Sequence, residues 1–461
     1  MNVELLAPAY RRRFLFILFF VCLFNLGDRA VFSVVVPAMR GELHLTDFQI
    51  GILQGFSFAL LYGGLGIPVG RLAERVSRVR IIALATGIWS VATALSGVAT
   101  GFLQMMVTRV AVGMGEAGFT APTASLVADH FEPRRRASAM SLIMLGLPVG
   151  TLLGAIGGGY IAQHYGWRMA FIALGLPGVL VALLVRVLLR EPQRGLSDGQ
   201  VPVASVPPFS AVLRHITRSR TLRHVMLGGG ISAIGIQGVA QFMPLLFTRA
   251  FHLPIAAAAT LFGVVSGVSL ATGLLLGAMG TDRASHRDER WPAWGPALAF
   301  LVTPMFYLLG FNQASVPATA ALLIGGGVLA MVYYGPSIGM LQNLTPPSMR
   351  ASTSAVFAML MALIGTGIGP TLVGFASDRF AALAYSGDYV GQCGPGRSAA
   401  GDAVAAACAQ ASLTGLRQAM MLSVLSFAWA AVHYLLASRN LRDELRTART
   451  ATATAVAAQV Q

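Results

Sequence analysis

The sequence predicts an all-α membrane protein of twelve transmembrane helices in two pseudo-symmetric six-helix bundles. Three observations lead there. The composition is too apolar and too poor in charge for a soluble domain. Twelve separate apolar stretches are long enough to cross a bilayer. Short sequence matches recur between the two halves at a nearly constant offset.

Of 461 residues, 55% are hydrophobic and 11% charged, with a mean hydropathy of +0.69. A soluble domain carries about 25% charged residues. The 52 glycines suit spanning helices, where small residues let backbones approach closely. The formal net charge of +15 could suggest a nucleic-acid partner. The basic residues instead fall in short clusters between apolar stretches, so no nucleic acid is expected. Every one is Arg, which reflects genome composition rather than function.

A span needs about 20 mostly apolar residues. The first runs over 14–39. Arg11, Arg12 and Arg13 before it could imitate a signal peptide, but the apolar run is too long and no A-x-A-like cleavage site follows. The next five are 50–70, 80–99, 103–130, 137–160 and 169–189. A polar linker over 191–223 carries Pro192, Pro202, Pro207 and Pro208. Six more spans follow at 224–249, 259–280, 295–311, 316–341, 352–376 and 415–437. The expected organisation is a first bundle over 1–190, a linker over 191–223, a second bundle over 224–437 and a tail over 438–461. That tail is Ala-, Thr- and Arg-rich after Leu441 and is expected to lack order.

Arg placement sets the expected orientation. With both termini in the cytoplasm, the cytoplasmic segments hold 25 of the 33 Arg and the opposite side holds six. The remaining two, Arg29 and Arg109, fall within spans. The loop between the last two spans is then external, where an oxidising compartment permits a disulfide between Cys393 and Cys408. Cys22 in the first span reads as a small packing residue.

The halves match. Pro133 to Ser138 (Pro-Arg-Arg-Arg-Ala-Ser) precedes the fifth span, and Pro347 to Ser352 (Pro-Ser-Met-Arg-Ala-Ser) precedes the eleventh, 214 residues later. Pro122 and Pro336 share that offset. Glu74-Arg75 has a counterpart in Asp282-Arg283. Repeated halves with a site at their interface are a transporter architecture, because one half can rock against the other.

The loop after the second span reads Gly70-Arg-Leu-Ala-Glu74-Arg75-Val-Ser77-Arg78-Val-Arg80. With twelve spans, this resembles the signature of the major facilitator superfamily, with Glu74 where the pattern has Asp and Ser77 where it has Gly. Within that superfamily the chain is similar to Spinster-like transporters. The matching residues are Asn25-Leu-Gly-Asp28-Arg29, Thr108-Arg109, Gly113-Met-Gly115-Glu116-Ala117, Ala121-Pro122, Ala128-Asp129-His130-Phe131, Leu147-Pro148-Val149-Gly150 and Gly415-Leu416-Arg417. The organic anion:cation symporters share the Asp-Arg of the first span and the Gly-x-Gly-Glu-Ala of the fourth. The resemblance implies a major facilitator fold, with proton coupling by an Asp of the first span and an Arg and Glu of the fourth.

Asp28, Arg29, Arg109 and Glu116 are the ionisable residues deep in spans. Each costs at least ~2.5 kcal/mol at the bilayer centre, so each needs a reason to be there. Asp28 and Glu116 each lie 14 residues from the cytoplasmic end of their span, so both should sit ~21 Å in. Arg109 and Glu116 are seven apart and share a helix face. Asp28, Arg109 and Glu116 are therefore the candidate proton-coupling groups, with partners that change as the halves rock. Arg29 is expected to be structural, pairing with Asp28 or facing another helix.

Gly70, Glu74, Arg75 and Arg78 are candidate gating residues, with Asp129, Asp282 and Arg283. Glu74 is expected at the N-terminus of the eleventh span, whose free N–H groups favour an anion, and Arg75 against Asp129. Gly146, Gly150, Gly154 and Gly158 recur every four residues, a spacing that permits close helix packing. Candidate substrate contacts are Asn25, Gln54, Phe58 and Tyr62 in the first half, and Gln237, Gln241, Tyr333 and Tyr334 in the second. The surroundings are mostly apolar, which suits an amphiphile with one charged end.

There is no Walker A sequence, no Cys/His cluster at metal spacing and no nucleophile elbow. The expectation is a monomeric transporter in a bacterial inner membrane, not an enzyme. It needs no metal or cofactor beyond a coupling proton, and its partners are membrane lipids and a lysolipid-like amphiphile. The rivals are an organic anion:proton symporter or drug-efflux antiporter of the same fold, and a non-transporting membrane receptor.

Overall fold

The computed structural model describes residues 7–73, 75–193, 208–346, 349–394, 396–397 and 401–460. Its regular structure is helical. Eleven helices among these residues are long and apolar enough to cross a membrane. The fourth predicted span is present as two shorter helices, Phe102–Glu116 and Thr120–His130.

Proline explains where that span breaks. Pro122 has no N–H, and its ring crowds the carbonyl four residues back, at Gly118. The chain turns over 117–119 and resumes at Thr120. In the second half Pro336 does the same. Val316–Met331 ends one turn before it, and Tyr334–Asn343 begins two residues before it after a turn over 332–333. The repeat is visible in hydrogen bonds too. Arg136 Nε donates to the Phe131 carbonyl at 3.0 Å and Arg350 Nε to the Thr345 carbonyl at 3.2 Å, the same five-residue reach in each half. Pro37, Pro177 and Pro244 lie inside continuous helices, so proline permits a break without forcing one.

By contacts the chain forms two compact units. One comprises Met1–Pro202, Ala240–Gly267 and Thr366–Ala419, and the other Val203–Val239, Val268–Gly365 and Met420–Gln461. The first unit is organised around the helix Pro8–Leu43, which lies against Gly146–Tyr165. The four-residue glycine row makes this possible. A side chain at Gly146 would meet the Phe19 carbonyl at 2.6 Å, one at Gly154 the Gly27 carbonyl at 2.7 Å, and Gly150 and Gly158 face Leu23 and Val31. Four glycines on one helix thus oppose residues 19, 23, 27 and 31 on the other. Phe14, Leu18, Ile82, Trp89, Val112, Leu126 and Ile143 fill the core beside this seam. The outer surface stays apolar, with Leu84, Val107, Leu180 and Val187 exposed, as a lipid-facing wall requires.

In the second unit Phe300 is surrounded by Tyr333, Phe427 and Tyr434, and Ser337 and Tyr434 share a hydrogen bond of 2.5 Å. The linker, expected as a polar stretch, contains a helix at Phe209–Arg218 whose Val212 and Ile216 are buried. The tail departs from expectation. The last helix runs unbroken over Asp402–Val460, so the segment after Leu441 is helical rather than without order. Its Ala-rich composition has high helix propensity. Cys393 and Cys408 are disulfide-bonded, with Cα atoms 5.4 Å apart, and Cys22 is buried.

Candidate functional site: a buried cluster of four charges

The four deep charges form one cluster of two interlocked ion pairs. Arg109 donates to Asp28 at 3.0 Å, with both side chains no more than 3% exposed. The other oxygen of Asp28 accepts from the Thr93 hydroxyl at 2.8 Å. Arg29 donates through Nε to Glu116 Oε2 at 2.9 Å and through a second nitrogen to the same oxygen. Arg29 thus bonds Glu116, not Asp28, and belongs to the cluster. Consecutive helical residues point about 100° apart, so Asp28 and Arg29 face different neighbours.

Aromatic rings cover the cations. The Arg29 guanidinium lies 4.3 Å from the Phe58 ring centre and 4.9 Å from that of Tyr62, and Arg109 lies 4.5 Å from Phe32. Such contacts stabilise desolvated cations. Glu116 is the last residue of its helix, directly before the 117–119 turn. Gly115 beside it packs so closely that a side chain there would meet the Trp89 nitrogen at 2.7 Å. The cluster balances to zero if all four groups are charged. Among the described residues, Glu116 Oε1 and Arg109 Nε are buried without a hydrogen-bond partner.

Beside the cluster lies a cavity of about 10 Å³, lined by Arg29, Phe32, Gln54, Phe58, Arg109, Gln241 and Thr366. That is roughly the space of one water. Gln241 closes it. Its side chain accepts from the Ser33 hydroxyl, and its backbone carbonyl accepts from Gln54 Nε2 at 3.0 Å. Thr366 belongs to a π-helical stretch, Met361–Ile368, a deviation common at functional sites.

At the end of the first unit where the chain begins, Arg78 organises a second cluster. It bonds Asp129 at 2.5 Å, Glu191 at 2.7 Å and the Ser125 hydroxyl at 2.8 Å. The partner of Asp129 is therefore Arg78, at the first turn of its helix, whereas Arg75, expected there, is exposed. Glu191 also accepts from the Val79 N–H and the Ser77 hydroxyl. Half-burial pushes the Glu191 carboxyl up, but the Val79 N–H, Arg78 and Ser77 outweigh it and hold the group below its usual 4.5.

At the opposite end, beyond Leu43, lies a third cluster that sequence reasoning missed. Asp47 accepts from Arg249 at 2.6 and 2.7 Å, from Arg40 at 3.2 Å and from the Ser377 hydroxyl at 2.6 Å. Asp378 accepts from the Phe48 N–H at 2.9 Å, capping the helix that Asp47 begins. A signal existed. Arg40 and Arg249 are two of only six Arg on that side, where Asp47 and Asp378 are among few acids.

Other expected site residues are dispersed. Asn25 is buried one turn before Arg29, outside the wall of the small cavity. Gln237, Tyr333 and Tyr334 belong to the second unit; Tyr333 is buried, with its hydroxyl 3.5 Å from the Met361 sulfur, and Tyr334 is 44% exposed. Asp282 and Arg283 are at least partly exposed near the end of Ile255–Ser285, and Gly70 is half-buried. Glu74, and with it the expected contact at the eleventh span, lies outside the described residues.

A multi-pass helical membrane protein with paired charges inside its spans and a repeated half defines a membrane transporter. Residues 18–370 match the Major Facilitator Superfamily, and the chain belongs to that family. An MFS-type efflux pump of Mycolicibacterium smegmatis is 29% identical over 361 residues, covering 77% of this chain and 81% of that one. Human protein spinster homolog 1 is 26% identical over 393 residues, covering 81% and 74%. The crystal structure of a bacterial homolog to the human lysosomal transporter Spinster, inward-facing and occupied, matches with a TM-score of 0.85 at 28% identity, over 95% of this chain and 99% of that one. Within the superfamily, the chain is similar to the Spinster transporters.

Proposed function

We propose that this transporter moves an amphiphilic, lysolipid-like substrate by alternating access, driven by protons exchanged at Asp28 and Glu116. One observation carries the reading: two carboxylates buried at mid-span are each neutralised by a single arginine. A carboxylate stripped of its cation in so dry a place takes a proton instead, because an unpaired buried charge is far more costly. Any motion that parts the first span from the fourth therefore exchanges an arginine for a proton. Arg29 joins Arg109 as a partner in that exchange. The cavity beside the cluster admits a water and no lipid, which fits a proton path separate from the substrate. Gln54, Phe58, Tyr62 and Gln241 are accordingly proposed to serve the charge cluster. The Arg distribution supports an inner-membrane protein with both termini in the cytoplasm. Gly70, Arg75, Arg78 and Asp129 then form the cytoplasmic gate, with Asp282 and Arg283 their counterparts.

The test is purified protein in liposomes with an imposed pH gradient, screened against lysolipids and organic anions. Asp28→Asn and Glu116→Gln should each abolish gradient-driven movement while leaving folded protein. If both variants remain driven by the gradient, the coupling reading is wrong. A second reading, a proton-coupled drug exporter, is favoured by the mycobacterial relative. Gradient-driven movement of drugs without lysolipid transport would select it.

A further inference from the structure

Asp28 borders a second cavity of about 10 Å³, which shares no lining residue with the one beside Arg29 and Arg109. Asp28, Ser90 and Thr93 give it a polar side, and Phe24, Trp89 and Leu174 an apolar one. Ser90 and Thr93 come from Arg78–Ser96, three residues apart and so on one helix face. Both are buried, at 2% and 1% exposure. The Thr93 hydroxyl donates to Asp28 Oδ1 at 2.8 Å. Among the described residues, the Ser90 hydroxyl is buried without a hydrogen-bond partner. Gly175 and Gly178 let the helix Trp167–Leu188 close over it. A side chain at Gly175 would meet the Ser90 carbonyl at 2.6 Å, and one at Gly178 would meet the Ser90 Oγ and Cβ.

A hydroxyl left unbonded in so dry a place is costly. The cavity offers what a water requires, room for one molecule and three polar partners. Hydroxyls both donate and accept, whereas an arginine only donates. Arg109 can therefore satisfy Asp28 as a carboxylate but not as a neutral acid. Ser90 and Thr93 can serve both forms by rotating their hydrogens.

We propose that this cavity is a water site serving Asp28, with Ser90 and Thr93 as positioning residues that keep the acid bonded in both protonation states. When Asp28 is ionised, Thr93 donates to Oδ1, and Ser90 donates to the water, which donates to Oδ1 as well. When Asp28 carries a proton on Oδ1, the acid donates to the water and the water to Ser90 Oγ. The Thr93 hydroxyl then turns to a carbonyl one turn back in its own helix, a bond common for Thr. One proton is added, at Oδ1, and no other group changes charge. Asp28 can thus exchange Arg109 for a proton without leaving its place. The proposal deepens the coupling reading above and rests on it.

Infrared difference spectroscopy of the purified protein across pH reads the carbonyl band of protonated Asp28, identified by its loss in Asp28→Asn. The measurement needs neither substrate nor gradient. Thr93→Val removes a donor to the ionised form, so the midpoint of the band should rise by about one pH unit, a tenfold gain in proton affinity. Thr93→Ser should restore it. Ser90→Ala should also raise the midpoint, by roughly threefold in affinity. Ser90 has no direct bond to Asp28, so this effect reaches the acid through the cavity. Thr86→Val removes another buried hydroxyl of the same helix, outside the cavity, and should leave the midpoint in place. An unmoved midpoint in Ser90→Ala, with the protein eluting as a single species, overturns the water site. So does an equal rise in Thr86→Val, which would indicate loosened packing. Shifted midpoints in a protein that shows no gradient-driven movement in liposomes would sink the coupling reading and leave the water site standing. Coupled transport with unmoved midpoints would do the reverse, and a band missing at every pH overturns both.

Discussion

Replacing Arg29 by Gln removes the cation bonded to Glu116, whose side chain is fully buried. Breaking a buried ion pair by deleting one partner costs about 3–5 kcal/mol, because the other charge is left uncompensated. The lost contacts with Phe58 and Tyr62 add on the order of 1 kcal/mol. Glu116→Gln should cost less, about 1.5–3 kcal/mol, the range of a charge-assisted hydrogen bond. Its amide still offers an acceptor oxygen, and Arg29, 18% exposed, keeps its aromatic neighbours. The double variant strands no charge. Its loss should therefore fall short of the sum of the singles by about 2–3 kcal/mol, well outside the ~0.5 kcal/mol scatter of independent sites. Equilibrium unfolding in mild detergent across the four proteins measures this coupling. Additivity within ~0.5 kcal/mol would show that the pair is not an energetic unit and would remove the basis for partner exchange.

Other consequences follow from the packing and the outer clusters. Gly154→Ala should destabilise by about 1–3 kcal/mol, since its methyl meets the Gly27 backbone. Gly157→Ala, with open space around it, should be neutral or slightly stabilising by helix propensity, and thermal unfolding separates the two. Glu191 has its carboxyl held below 4.5 in the folded protein, so its stabilisation is present above that pH and is lost as pH falls through the depressed folded value. Glu191→Gln should thus lower the unfolding midpoint at pH 7, with the difference vanishing in acid; a constant difference at all pH would refute the assignment. The Cys393–Cys408 bond closes a short loop and should order it by on the order of 3 kcal/mol. Peptide mapping of protein purified without reductant should find the two cysteines linked, and both thiols free would contradict the structure.

Much of the fold was legible because bilayer energetics are read residue by residue. An apolar run of 20 residues has few places to go but a span, and its cost or gain is nearly independent of its neighbours. The glycine row of the fifth span likewise declares close packing locally, whereas the breaks near Pro122 and Pro336 were not legible from proline alone, since Pro37, Pro177 and Pro244 lie inside continuous helices. Proximity was legible too: Asp28 and Glu116 were expected at one level, and both carboxylates belong to one cluster. Partnership was not. Arg29 and Glu116 are 87 residues apart, Asp47 and Arg249 are 202, and Arg78 rather than Arg75 meets Asp129. Which charge faces which depends on the rotation of each helix about its axis. That rotation is set by side chains interlocking between helices, and no single stretch of sequence contains it.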